Sequence, residues 1–345
     1  MGAARYDINY IREQSQRVLT ERGVPEDQAA ILTDSFLEAD KCGVPTHGIR
    51  MLSAYIKKID NNEFSFEGIA VRKGSSAFTV VDSNNSIGAV SAYQCTQLAI
   101  EGAKQSGLHV VFARNCSTFG PAFYYVKSIA DKGLVGYVSC NSPAAMPANN
   151  GLEVMLGTNP FAFACPSKSS GTILIDMATS IVAKSKFLEA KNKGQKLPEG
   201  WALDSDGNPT IDPEEAIKGF VLPMAGVKGY NIAMMVDILS GVLSGASYLN
   251  KVGKFYSANG AGMDVGQVFL AIDPNSIYEG DFLEEMDRYV ETLRNSRTAE
   301  GKTITLPGDR KRKMKIDAER YGIELIESTV ISLCDLFGVD KLKRV

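Results

Sequence analysis

Gly260-Ala261-Gly262-Met263-Asp264-Val265-Gly266 is the stretch on which the fold turns. It looks like the glycine loop of a dinucleotide-binding βαβ unit, but its context is wrong. That fingerprint follows a strand and opens a helix whose N-terminus holds a pyrophosphate. Here the third glycine comes one position late, and the run leads into Gln267-Val268-Phe269-Leu270-Ala271-Ile272, which reads as a buried strand ending at Asp273-Pro274. A Rossmann fold is therefore not expected. No G-x-x-x-x-G-K-[ST] run is present, which sets aside P-loop phosphoryl chemistry.

Working outward, strands alternate with helices between about residues 70 and 180. Phe78–Asp82 and Leu108–Ala113 read as strands, and Gly88 to Ser106 and Phe123 to Lys132 as helices. The middle of the chain is therefore α/β. The first quarter is helical. Ile8, Ile11, Val18 and Leu19 share one side of a segment stopped near Gly23, and a second helix after Pro25 carries Ala29, Leu32, Phe36 and Leu37. A third has Ile49, Leu52, Ile56 and Ile59 at spacings of three, four and three, with Thr46 as the expected N-cap and His47 in the first turn.

Residues 184–223 form a polar excursion around the turn signal Asp204-Ser205-Asp206-Gly207-Asn208-Pro209. Helical patterning returns at 229–247 and from about Asp281 to Arg294, and the tail from Asp317 is helical with a break near Gly322. The expected organisation has three parts. Residues 1–70 form an N-terminal helical region carrying His47, 71–310 an α/β core with the 184–223 excursion, and 311–345 a helical segment packing on the N-terminal region.

The balance of 37 basic and 40 acidic residues gives no electrostatic footprint for nucleic acid or anionic lipid. Six cysteines without a C-x-x-C pair argue against a zinc cluster, and no other metal-ligand spacing occurs. No apolar run reaches the roughly 20 residues of a membrane span. Met1–Tyr6 carries no apolar signal core, so a cytoplasmic address is the expectation. A small-molecule partner is indicated.

Only two histidines are available for acid–base work near neutral pH. His109 sits inside a strand and reads as structural. His47, between a hydroxyl and a glycine, is the candidate, although a surface histidine near a cap fits the same residues equally well. Gly157-Thr158-Asn159-Pro160 puts polar groups at the edge of an apolar strand, or simply makes a tight turn. Asp176-Met177-Ala178-Thr179 reads as a cap, and Gly226-Val227-Lys228-Gly229-Tyr230 offers one lysine on a glycine loop, suited to phosphate or carboxylate.

Taken together, these blocks and Cys42-Gly43-Val44-Pro45-Thr46-His47-Gly48 resemble the malate/L-lactate dehydrogenase-like oxidoreductases over nearly the whole chain. Met234–Gly241 and Leu306-Pro307-Gly308 join the match. The resemblance implies a non-Rossmann α/β fold with N-terminal helices and a mixed-sheet NAD(P)-binding core. It implies an oxidoreductase interconverting a small 2-oxo acid and 2-hydroxy acid, of homodimeric build. His47 would be the acid and base, with Thr46, Arg50, Tyr55, Thr118, Thr158 and Asn159 toward the carboxylate substrate. Ser142, Asp176, Met177, Ala178, Lys228, Gly229, Pro307 and Gly308 would touch NAD(H) or NADP(H), NAD being slightly favoured, and no metal is implied.

Two departures stand out. Met51 occupies the place of the family's usual arginine, with Arg50 one position earlier and about 100° round a helix. Thr118 replaces a second histidine and cannot titrate near neutrality. Tyr55 and Tyr125 are the remaining hydroxyl candidates to assist His47. The departures leave two other readings open: an NADPH-dependent imine reductase, and a nucleotide-binding homologue that has lost catalysis.

Overall fold

In the computed structural model the described residues are 4–256 and 262–345. Gly260 and Ala261 of the glycine run lie outside them. Helix α1 (Ile8–Thr20) opens on Asp7, whose carboxylate accepts the N–H groups of Asn9 and Tyr10. Helix α2 (Glu26–Lys41) packs on it and buries Leu32, Phe36 and Leu37 in the core.

Helix α3 corrects the expected start of the third helix. Pro45–His47 and Ile49–Met51 are two short 3₁₀ turns separated by an extended Gly48, and α3 itself runs Leu52–Asp60. Thr46 caps nothing; its hydroxyl pairs with His47 Nδ1 at 3.0 Å. The orphan N–H of Ile49 is instead taken by Asp40 Oδ2, 2.7 Å away at the end of α2. Gly48 is needed there because a Cβ would fall 1.9 Å from Asp40 Oδ1. The predicted apolar face of α3 holds: Leu52, Ile56 and Ile59 are buried.

Seven strands form the central sheet, in spatial order Ala70–Gly74, Phe78–Asp82, Leu108–Cys116, Val265–Ile272, Val135–Cys140, Phe161–Cys165 and Ile173–Met177. Only Phe78–Asp82 and Leu108–Cys116 run parallel, joined through α4 (Gly88–Ser106) as a parallel pair requires. The other pairings are antiparallel. The expected non-Rossmann α/β fold with a mixed sheet is borne out. Val265–Ile272 lies between two strands and is largely buried, which explains its near-continuous apolar run. Helices α4 and α5 (Ala122–Ala130) bury their apolar faces on the sheet.

His109 is held inside this sheet, with Nδ1 donating to the Ser76 carbonyl at 3.0 Å and Nε2 facing the Thr79 hydroxyl at 2.9 Å. Both ring nitrogens are spent on structure, as expected. The 184–223 excursion folds into α6 (Ser185–Asn192), α7 (Pro213–Lys218) and a three-stranded sheet, with a core of its own around Phe187, Leu197 and Ala216.

Helix α8 (Val227–Asp237) continues into a π turn at Ile238–Val242, and α9 (Phe282–Arg294) follows the long strand. Helices α10 (Asp309–Tyr321) and α11 (Glu327–Phe337) are split at Gly322. Helix α10 packs on α2, where Lys315 and Lys41 both pair with the buried Glu38 carboxylate. Ile323–Glu324 pairs with Arg5–Tyr6. Among the described residues, no helix is long and apolar enough to cross a membrane.

Candidate active site

The 3₁₀ turns before α3 deliver His47 into a cleft of about 500 Å³. Thr46, Met51, Tyr55 and Thr118 line it too, so three of the expected substrate-side residues converge on His47, with Met51. The ring of His47 opens to solvent at one side while the cleft walls crowd the rest. Their desolvation lowers its pKa below 6.5, and the Asp176 carboxylate opposes the shift. With Nδ1 turned to Thr46, Nε2 is the nitrogen left for a ligand.

Tyr55 is buried among Phe36, Phe64 and Phe255, with ring centroids 5.1 to 5.7 Å apart. Its hydroxyl donates to the Thr118 carbonyl at 3.1 Å, and burial raises its pKa far above the usual phenol range. Tyr55 therefore shapes the wall rather than supplying a proton. Tyr125 donates to the Phe119 carbonyl in the core and does not reach the cleft.

Other expected residues stand elsewhere. Arg50 is exposed and outside the cleft lining; its charge acts on Asp40, whose pKa burial has pushed up to about 7. The break at Gly48 shifts the helical phase, so Met51 faces the cleft and Arg50 does not. Asn159 is fully buried: Oδ1 accepts the Ser142 N–H at 3.1 Å, and Nδ2 donates to the Ala233 carbonyl at 2.9 Å. Both ends of its amide are thus engaged by protein. The Thr158 carbonyl accepts both the N–H and the hydroxyl of Thr179, and its own hydroxyl lies 3.4 Å from that of Ser142.

Two further depressions hold other expected residues. One, of about 360 Å³, lies between Gly43-Val44 and Asp176, Pro307, Gly308 and Lys311. Lys311 Nζ stands 3.3 Å from Asp176 Oδ2. Another, of about 710 Å³, is lined by Ile181 and by Ala225–Val227, next to the exposed Lys228. Gly229 has a packing reason of its own, since a Cβ there would fall 2.1 Å from the Met224 carbonyl oxygen. Met177 and Ala178 continue the segment from Asp176, and Met177 is exposed. The stretch 176–185 touches all three depressions: Asp176 at one, Ile181 at the next, Ala183 and Ser185 in the His47 cleft.

Lys254, Phe255, Tyr256 and Met263 also line the His47 cleft and were missed in the sequence. The signal available was the cation and aromatic pair just ahead of the rejected glycine run. No group of three His, Cys, Asp or Glu side chains that could hold a metal occurs among the described residues.

A mixed-sheet α/β fold with a histidine in an apolar cleft and two further depressions beside it matches the non-Rossmann dehydrogenase class of oxidoreductases. The family profile described as malate/L-lactate dehydrogenase matches residues 6–334, and the chain belongs to that family. The expected family and enzyme class are thereby borne out. A malate/(S)-sulfolactate dehydrogenase of Methanothermus fervidus is 35% identical, with 93% of each chain covered. A ureidoglycolate dehydrogenase (NAD(+)) of Escherichia coli O157:H7 is 31% identical over 90% of this chain and 89% of that one. Among solved structures, the sulfolactate dehydrogenase from Methanocaldococcus jannaschii superposes with a TM-score of 0.89 at 33% identity, covering 97% and 98% of the two chains. The delta1-piperideine-2-carboxylate reductase from Pseudomonas syringae gives 0.87 at 25% identity, covering 96% and 99%.

Proposed function

We propose that the protein interconverts a small 2-oxo acid and its 2-hydroxy acid with NAD(H) or NADP(H), His47 acting as acid and base. The observation that carries this reading is the Nε2 of His47, without a partner among the described residues, inside a cleft joined by residues 176–185 to two further depressions. An extended dinucleotide suits that row. Ala225 and Gly226 have left-handed φ values of 48° and 62° ahead of α8, whose first N–H groups lack helical partners. With Lys228 these are donors for a pyrophosphate, and Asp176 and the Pro307-Gly308 turn are the surfaces for a nucleoside. NAD is slightly favoured. The bound nicotinamide supplies or accepts the hydride.

His47 does the proton work. In reduction, imidazolium donates from Nε2 to the oxygen becoming an alcohol; in oxidation, neutral imidazole removes that proton. The sign of the pH dependence follows from the lowered pKa. Reduction should fall as pH rises through an apparent pKa below 6.5, and oxidation should reach its plateau above it. Asp176→Asn removes the opposing carboxylate and should move both profiles to lower pH. Profiles of kcat/KM in both directions test this, and a flat profile through that range would refute it.

A second reading, reduction of a cyclic or open-chain imine, is favoured by the likeness to the Pseudomonas syringae reductase. Amine-dependent cofactor consumption with 2-oxo acids would select it. The cleft built around His47 speaks against a homologue that has lost catalysis.

The chain also carries an exposed apolar stripe. Val227, Met234, Met235, Ile238 and Val242 recur at helical spacing along α8 and its π turn, each at least 39% exposed. Stripes of this kind mark association surfaces, and the homodimer proposed here uses it. Sedimentation should give twice the chain mass, and Ile238→Asp should halve it; a monomer for the unaltered chain would remove this assignment. The cytoplasm is the address proposed, since all six cysteines are unpaired, and cell fractionation checks it.

A further inference from the structure

The walls of the His47 cleft say what its substrate carries. Phe36, Met51, Phe255, Tyr256 and Met263 present apolar surface, and Tyr256 Oη rests 3.7 Å from Met51 Sδ. Against this surface stands one ammonium among the described lining residues, the exposed Lys254. Arg50 is outside. Lys58 lies over the far side of the site, 5.0 Å from the Phe255 ring centre, and is already paired with Glu63. Lys184 is near enough to feel the charge of Lys254, but its Nζ donates to the Gly219 carbonyl at 3.2 Å.

A carboxylate entering beside His47 has Lys254 to meet it. A second anion on the same molecule would lie against Met51 or Phe255 without a partner, which is costly in an apolar wall. A hydrocarbon side group gains there, because each methylene it buries leaves water for apolar surface. We infer that the protein takes 2-oxo acids with one carboxylate, gripped by Lys254, and an apolar branched or aromatic side group packed on Met51 and Phe255. The inference rests on the oxidoreductase reading above and narrows its substrate class away from dicarboxylates. Met51 acts as a specificity residue and Lys254 as the anion anchor.

The test uses the full chain with NADH and NADPH and four acids: oxaloacetate, pyruvate, 4-methyl-2-oxopentanoate and phenylpyruvate. The kcat/KM values for the last two should exceed that for oxaloacetate by about tenfold or more. Lys254→Met should raise KM for every acid by about tenfold, with kcat changing less. Met51→Arg should reverse the order in favour of oxaloacetate. Oxaloacetate leading in the unaltered protein, or an unchanged KM in Lys254→Met, overturns this inference alone. Lys254 is exposed, so that variant keeps the fold even if Met51→Arg does not. If none of the acids consumes either cofactor, with or without added amine, the oxidoreductase reading falls and this inference falls with it.

Discussion

His47→Asn should lower turnover by about 10²–10⁴-fold while leaving cofactor affinity nearly unchanged. The size of the loss reflects how the other acid–base candidates named in the sequence are committed. His109 has both ring nitrogens committed inside the sheet, Tyr55 and Tyr125 donate to backbone carbonyls, and Thr118 cannot titrate near neutrality. Asparagine keeps a polar group able to meet the Thr46 hydroxyl but can neither gain nor release a proton. His47 is exposed at the mouth of the cleft, so stability should change little. Steady-state rates with fluorescence titration of NADH and NADPH separate the two quantities, and turnover equal to the unaltered protein would sink the assignment.

Asn159→Ala should destabilise the fold by about 2–4 kcal/mol through the loss of buried hydrogen bonds. Its side chain ties the Ser142 N–H to the Ala233 carbonyl, thereby holding the Thr158–Asn159 turn against α8. It also stands at a φ of 27°, a left-handed conformation that asparagine tolerates better than alanine. Denaturant unfolding measures the effect. The competing expectation, that Asn159 grips substrate or cofactor, would show normal stability with a raised KM.

The two outcomes also bear on what could be read in the sequence. Helix Gly88–Ser106 was legible to the residue, because its apolar periodicity and the stop at Gly107 are local. The strand at Val265–Ile272 was legible from its apolar run, but its seat between Leu108–Cys116 and Val135–Cys140 was not, since that pairing spans well over a hundred residues. The start of α3 misled for a related reason. Thr46 had the composition of a cap, yet the carboxylate that caps the turn comes from Asp40, on another helix.

At the site, His47, Thr46, Tyr55 and Thr118 were singled out and do meet in one cleft. Arg50 was not separable from Met51 without the break at Gly48. Lys254, Phe255 and Tyr256 enter from a connection some two hundred residues away, where no periodicity marks them. Asn159 was legible only as a polar residue beside an apolar strand; that its side chain meets backbone groups 17 and 74 residues away was not.

The central claim is that the His47 cleft is where the proton and the hydride move. A crystal structure with NAD(P)⁺ and a 2-hydroxy acid tests it most directly. His47 Nε2 should lie within about 3.2 Å of the substrate hydroxyl, with the nicotinamide ring in the same cleft. A nicotinamide bound away from that cleft, with the imidazole facing only solvent, would contradict the account.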